Sequence, residues 1–377
     1  MKNKAGILIF LTSVLTVSCY KPYTTDIDND EKVLVVDGLI TNKVASYHIK
    51  LKYSSKFYSS AKAKPVSNAR VTVTDDFGTV INFRETLNGD YVSDSTKFTA
   101  VPGKSYTLRI ETQEGDIYES SVQKMENEFT PDSVYAIIDY IEYIIRFNQI
   151  LKTIHGAKIY ANISSKSGLL PSFRFYSELS IQYFYDLRIY TEYPPPIYSF
   201  YCWQLDRVEQ GVNLVNKYFV NLNFKINNQE LYFIDNNFVI DGRVYDLGPQ
   251  LPDMSYLAIP TTERKNYNIT NRLLYVELYS LNEDSYSYYQ KIDKQLTSEG
   301  KIYDPISVQV KGNLKCISKI DKNVFGLFEV SALNKTAYTI GLRNPITNQV
   351  SVKEIPSIIP PLPDGCMINK IPVFWIN

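Results

Sequence analysis

Apolar residues alternate with polar ones along much of this chain, and a period of two commits it to β-sheet. Val71 and Val73 alternate with Thr72 and Thr74, and Tyr106, Leu108 and Ile110 alternate with Thr107, Arg109 and Glu111. Successive side chains of a strand point to opposite faces, so such runs mark strands with one face buried. The pattern returns at Val220, Leu222, Phe224 and Ile226, at Leu274, Val276 and Leu278, and at Ile306, Val308 and Val310. Turn signals separate the early runs: Phe77-Gly78, Asn88-Gly89, Pro102-Gly103 and Gly115-Asp116. Asn-Gly favours the positive φ of tight hairpins. Short strands at regular spacing predict a sandwich.

The expected fold class is mainly all-β. Residues 32–125 read as a β-sandwich domain. Glu126, Asn127, Glu128 and Pro131 mark a boundary, and residues 131–377 read as a larger β-rich domain. One helix stands out there, at about 283–299. Asn282 can cap it, and Glu283 and Asp284 suit the positive end of its dipole. Tyr289, Ile292 and Leu296 fall on one face, expected to be core, and Gly300 supplies a stop.

The N-terminus carries an address. Lys2 and Lys4 precede an apolar stretch, Ala5–Val17, and then Ser18-Cys19. That stretch is too short for a stable membrane span, so residues 1–19 read as a bacterial lipoprotein signal with Cys19 lipidated. Thr16 stands where leucine is commonest, and the alternatives are a soluble secretory signal or a short anchor. Residues 20–31 read as a polar tether. Asp26, Asp28 and Asp30 alternate as in a calcium loop, but Glu31 occupies the position that needs glycine.

Basic and acidic residues balance at 40 each, which argues against nucleic acid as a partner. Tyrosine, with 31 copies, is the outlier. Tyrosine suits strand packing, and it also suits binding faces, with a broad apolar ring and one polar handle. The segment from Tyr193 to Trp203 holds three consecutive prolines, which a central strand does not accept. Tyr193, Tyr198, Phe200, Tyr201 and Trp203 are therefore the expected recognition surface, for a glycan or a peptide. Residues Pro356–Pro363 read as an extended strap, and Val373, Phe374 and Trp375 as core.

Cys202, Cys316 and Cys366 remain beside Cys19. Three thiols allow one intramolecular disulfide, of unknown pairing, and their spacing fits no zinc motif. His48 is expected in a strand and His155 in a loop, neither with a motif partner. No G-x-S-x-G or H-E-x-x-H occurs. Gly103-Lys104-Ser105 matches the end of a phosphate loop, but Phe98 replaces its first glycine, and a turn entering a strand is expected. A hydrolytic carboxylate pair is recognised only in space. The expectation is a protein with no enzymatic activity, no metal and no cofactor.

An ordered set of segments resembles a known family. These are Val33–Ile40, Pro65–Val71, Pro102–Leu108, Asp132–Tyr135 and Phe173-Arg174-Phe175-Tyr176. Cys202-Trp203, the helix with Tyr286, Tyr288 and Tyr289, Gly312-Asn313, Gly326-Leu327-Phe328 and Phe374-Trp375 follow. In this order they resemble the Bacteroidota lipoproteins grouped as domain of unknown function 4249. The resemblance implies an outer-membrane lipoprotein, often encoded beside a TonB-dependent transporter, with no established activity. It also implies an Ig-like or transthyretin-like first domain. Many members carry two close cysteines near the end, whereas this chain has only Cys366 there. Asp132-Ser133-Val134 and Asp94-Ser95-Thr96 resemble the short O-glycosylation sequence of such exported proteins, which makes Ser133 and Ser95 candidate sites. The acids after Cys19 begin only at Asp26, so both the periplasmic and the surface leaflet stay open. The leading expectation is a non-catalytic partner of a TonB-dependent transporter; the alternative is a glycan- or peptide-binding adhesin.

Overall fold

The computed structural model describes residues 33–54, 63–94, 98–145, 150–164, 170–188, 194, 197–207, 212–216, 225–235, 243–244, 267–297, 310–344, 346–355, 365–368 and 370. Residues 33–377 form one compact unit. It is all-β with one helix among the described residues. No helix among them is long and apolar enough to cross a membrane.

The first strands are β1 (Leu34–Thr41), β2 (His48–Tyr53), β3 (Lys64–Pro65), β4 (Arg70–Asp75) and β5 (Val80–Leu87). Then come β6 (Asp90–Val92), β7 (Ser105–Glu111), β8 (Ile117–Ser120) and β9 (Gln123–Lys124). Next are β10 (Ser133–Ile145), β11 (Ile150–Ser164), β12 (Ser172–Arg188), β13 (Ile197–Arg207), β14 (Asn213–Val215) and β15 (Lys225–Asp235). The last third holds β16 (Arg243–Val244), β17 (Tyr267–Leu281), α1 (Glu283–Leu296), β18 (Leu314–Cys316), β19 (Val324–Arg343), β20 (Val350–Glu354) and β21 (Gly365–Ile368).

The sandwich forms where the alternation predicts it. In β2, Ile49, Leu51 and Tyr53 face inward while His48, Lys50 and Lys52 face solvent; in β7, Tyr106, Leu108 and Ile110 are buried. The glycines of all four expected turns have positive φ. Ser105 opens β7 directly after the Gly103 turn, as expected. Burying such faces between two sheets is what stabilises them, at roughly 25 cal/mol per Å² of apolar surface.

Chain from the far end completes this sandwich. β19 pairs in parallel with β1, from Leu34↔Val324 to Thr41↔Ser331, and β18 adds to the edge of β8. Cys316, Val324, Phe328, Val330 and Ala332 thereby enter the same core as Leu34, Val36 and Tyr118. The Asn313 side chain bridges the entry: its Nδ2 donates to the Phe328 carbonyl at 2.8 Å, and its Oδ1 accepts from the Phe328 amide at 3.0 Å. Met125 is buried in this core, while Phe129 packs 4.9 Å from the Phe173 ring of the second core.

The second core lies between a three-stranded sheet, β10-β11-β15, and a larger sheet built on β12, β13, β17, β19 and β20. β19 runs through both halves: beyond Ser331 it pairs antiparallel with β17, then with β20. α1 is capped as expected, the Asn282 side chain accepting from the Ser285 amide at 3.0 Å. Its packed face is Ser285, Tyr286 and Tyr289, near the N-terminal half. Leu296, expected in the core, is 64% exposed, since only the N-terminal part of that face is packed. His155, expected in a loop, lies in β11. Residues 217–224, 301–309 and 371–377, and the 356–363 strap, lie outside the described residues, as do Cys19 and the tether.

A buried carboxylate ties the two ends of the chain at the sandwich edge. Asp116 is 1% exposed; Lys319 Nζ lies 2.7 Å from Oδ1, and Lys322 pairs with Oδ2. Burial alone would raise the Asp116 pKa, but hydrogen bonds from Lys319 and Lys322 outweigh it and hold it below the ordinary value of 3.8. A depressed carboxylate contributes stability that is complete above its unfolded pKa and lost as pH falls through its folded one. The urea midpoint of the protein is therefore expected to fall more steeply than that of Asp116→Asn between about pH 5 and pH 2. Parallel midpoints in the two proteins would show that this pair contributes nothing.

Candidate binding surfaces

The β10–β11 hairpin outruns the core it helps to cover. The described part of β15 pairs with β11 as far as Gly156↔Asp235, whereas β10 and β11 stay paired out to Ile145↔Ile150. Inward residues Ala157, Ile159 and Ala161 are fully buried, and Ala136 and Ile138 pack on them. Past Gly156 no third strand joins their ladder among the described residues, and Tyr140 and Leu151 open to solvent. Tyr140 is 48% and Leu151 58% exposed, and the Tyr140 ring tilts against His155 at 5.9 Å.

Two other hairpins end on the same side. β10 starts beside Phe173, which is opposite Ser280, and runs along β20. The registers Phe184↔Asn268, Leu273↔Thr339 and Arg343↔Val350 put the tips of β12–β13 and β19–β20 at the end away from Phe173. Ile197, Leu342 and Ile346 are exposed at those tips. Three hairpins thus present apolar side chains at one end of the larger sandwich. Contiguous exposed apolar surface marks interaction sites.

Part of the expected recognition surface is core. Phe200 is fully buried and Trp203 is 9% exposed, the Trp203 ring lying over Gly365. β13 is an interior strand, held by β12 on one side and β21 on the other; Phe200 and Cys202 face the second core, and Tyr201 and Trp203 lie on the opposite face. Tyr201 is half-buried and stacks on Phe184, with ring centroids 6.3 Å apart. Tyr198 lies in β13 opposite Leu187, and Tyr193 lies outside the described residues. Ser133 opens β10, exposed, its Oγ accepting from Asn162 Nδ2 at 3.1 Å; Ser95 lies outside the described residues. His48 sits on the sandwich surface in β2, with Nδ1 3.0 Å from Asp90.

Cys202 is disulfide-bonded, and the residue directly across from it in the ladder is Cys366. Cys316 is a buried free thiol, 3.4 Å from Ser318 Oγ. Non-reducing peptide mapping is expected to recover one Cys202–Cys366 cross-linked peptide, with Cys316 alkylated only after unfolding. A Cys316 disulfide would contradict this arrangement.

A cleft of about 540 Å³ opens between the end of β8, the first turns of α1 and the 311–315 segment. Its lysines are Lys291, Lys311 and Lys315, and its carboxylates are Glu119 and Asp284. Asp284 accepts from Ser121 Oγ and Gln123 Nε2, and Glu119 pairs with Arg109 at 3.3 Å. Tyr288 also lines the cleft; burial, then the charge of Asp37, raises its pKa and keeps the hydroxyl a donor. Sequence reasoning missed this site because its charges come from separate elements with no shared spacing. A smaller cleft of about 320 Å³ lies beside Asp37, Ser46 and His48.

No curated protein and no solved structure matches the chain. A family model does match, over residues 20–337, which takes in the first core, most of the second, α1 and the Gly326 crossing between β1 and β19. On that match the chain belongs to the family described as domain of unknown function (DUF4249).

Proposed function

We propose that this protein is a non-catalytic, lipid-anchored outer-membrane protein that serves as a partner of a TonB-dependent transporter. The observation that carries the reading is the exposed apolar end formed by the β10–β11, β12–β13 and β19–β20 hairpins, with Tyr140, Leu151, Ile197 and Leu342 open to solvent. A partner that covers these side chains removes apolar surface from water, which is the main driving force of association. Cys19 supplies the anchor and residues 20–31 the reach. Tethering raises the effective concentration at the membrane, so a modest docking surface suffices.

The alternative, direct recognition of a glycan or peptide through the Tyr193–Trp203 segment, loses support from the burial of Phe200 and Trp203. The test is an affinity pull-down of the tagged full chain from outer membranes in mild detergent, with mass spectrometry of the co-purified proteins. A TonB-dependent barrel in stoichiometric amount, lost in Cys19→Ala, is the expected result. A clean preparation with no barrel would sink the proposal.

A further inference from the structure

We infer that the cleft between β8, α1 and the 311–315 segment binds a small, multiply charged oxyanion: a solute bearing phosphate or carboxylate groups. The first argument is volume, since about 540 Å³ falls within the range of small-molecule sites. The second is the balance of donors and acceptors. Both lining carboxylates are engaged, Asp284 by Ser121 and Gln123, and Glu119 by Arg109. Lys315 stands opposite Glu119 in the β18–β8 ladder, but that carboxylate pairs with Arg109 of β7. Lys291 and Lys311 have no carboxylate partner among the described residues. Lys291, Lys311 and Tyr288 line one concavity and bring donors with no carboxylate acceptor of their own, and oxyanions supply that acceptor. Asp37, which acts on Tyr288, is the acidic group that opposes this field from β1.

The third argument is placement. The cleft lies where β18 joins β8, with the Ser121 amide donating to the Asn313 carbonyl at 2.7 Å. It is walled by the packed sandwich and by the capped first turns of α1, so its lysines project from ordered backbone. The inference is independent of the partner-docking reading, because the hairpin end and the cleft share no residue.

The experiment is isothermal titration of the full chain in detergent with pyrophosphate and, separately, citrate. Binding of either probe is expected, with affinity falling as salt rises because the site is open to screening. The double variant Lys291→Gln/Lys311→Gln is expected to bind about tenfold more weakly, while Lys52→Gln, on the exposed face of β2, binds as the parent does. Preference for pyrophosphate or for citrate would name the oxyanion class. Binding of neither probe, or equal binding by the double variant, would overturn the inference. Pull-down of a membrane partner by the double variant is expected to be unchanged, which separates failure here from failure of the docking proposal.

Discussion

Gly326→Ala is expected to remove most or all of the stability of the fold. Gly326 sits in β19 opposite Val36 with φ +95°, a conformation that side-chain-bearing residues rarely adopt. A Cβ there would lie 1.8 Å from the Val36 carbonyl oxygen and 2.7 Å from its carbon. Both are backbone atoms of β1, a strand already held by β2 on its other side, so neither can yield cheaply. Gly312 approaches just as closely from outside, since a Cβ on it would meet the Gly326 oxygen at 1.4 Å. Alanine must therefore part β19 from β1, at a cost of about 4 kcal/mol or more, comparable to the whole stability of many domains. Gly78→Ala is the control: its φ is +81°, but nothing lies within 4 Å, so only about 1 kcal/mol of backbone cost is expected. Soluble yield and denaturation midpoints read the difference, and an unchanged midpoint for Gly326→Ala would refute the crossing as described.

Glu329→Ala is the second large effect, expected to cost about 3–5 kcal/mol. The Glu329 side chain is 3% exposed and lies 3.2 Å from Arg174 Nη2 through both oxygens. Ser331 Oγ donates to it at 2.7 Å, and the Tyr289 hydroxyl donates as well. The Arg174 guanidinium lies 3.8 Å from the Tyr279 ring centroid and 5.1 Å from that of Tyr289. Burial alone would lower the Arg174 pKa, but the Glu329 carboxylate more than compensates and keeps the charge in place. Removing the carboxylate leaves a buried cation without its counter-ion. The cluster joins β12, β17, β19 and α1, so loss of amide protection is expected to reach the helix. Glu329→Gln, which keeps an acceptor and the shape, is expected to lose less. A midpoint for Glu329→Ala within error of the parent would show that the ion pair is dispensable.

The strands most legible from sequence are those buried on one face. Ile49 and Leu51, and Tyr106, Leu108 and Ile110, alternate with solvent-facing residues because only one side of each strand meets the core. In β17, Leu274, Val276 and Leu278 pack in one core as their alternation predicts, but Leu273 and Tyr275 are buried on the other face as well, which that alternation does not announce. The parallel pairing of β1 with β19 leaves no local mark, since strand partners distant in sequence carry no shared signal. The Asn282 cap was readable because capping chemistry is local. The burial of Phe200 and Trp203 was not: three prolines suggest a loop, yet β13 begins at Ile197, immediately after them, and runs between two neighbours. The exposed hairpin end likewise comes from where three separate hairpins end, and the lysine cleft from where β18 and α1 meet.

The central claim is that the hairpin end of the larger sandwich is the docking face. It is tested most directly by repeating the outer-membrane pull-down with the lipidated double variant Tyr140→Ser/Leu151→Ser. Both side chains are about half exposed, so the thermal midpoint should match that of the parent. The account predicts an unchanged midpoint with recovery of the barrel partner reduced by about tenfold. Undiminished recovery by a variant that remains folded would contradict it.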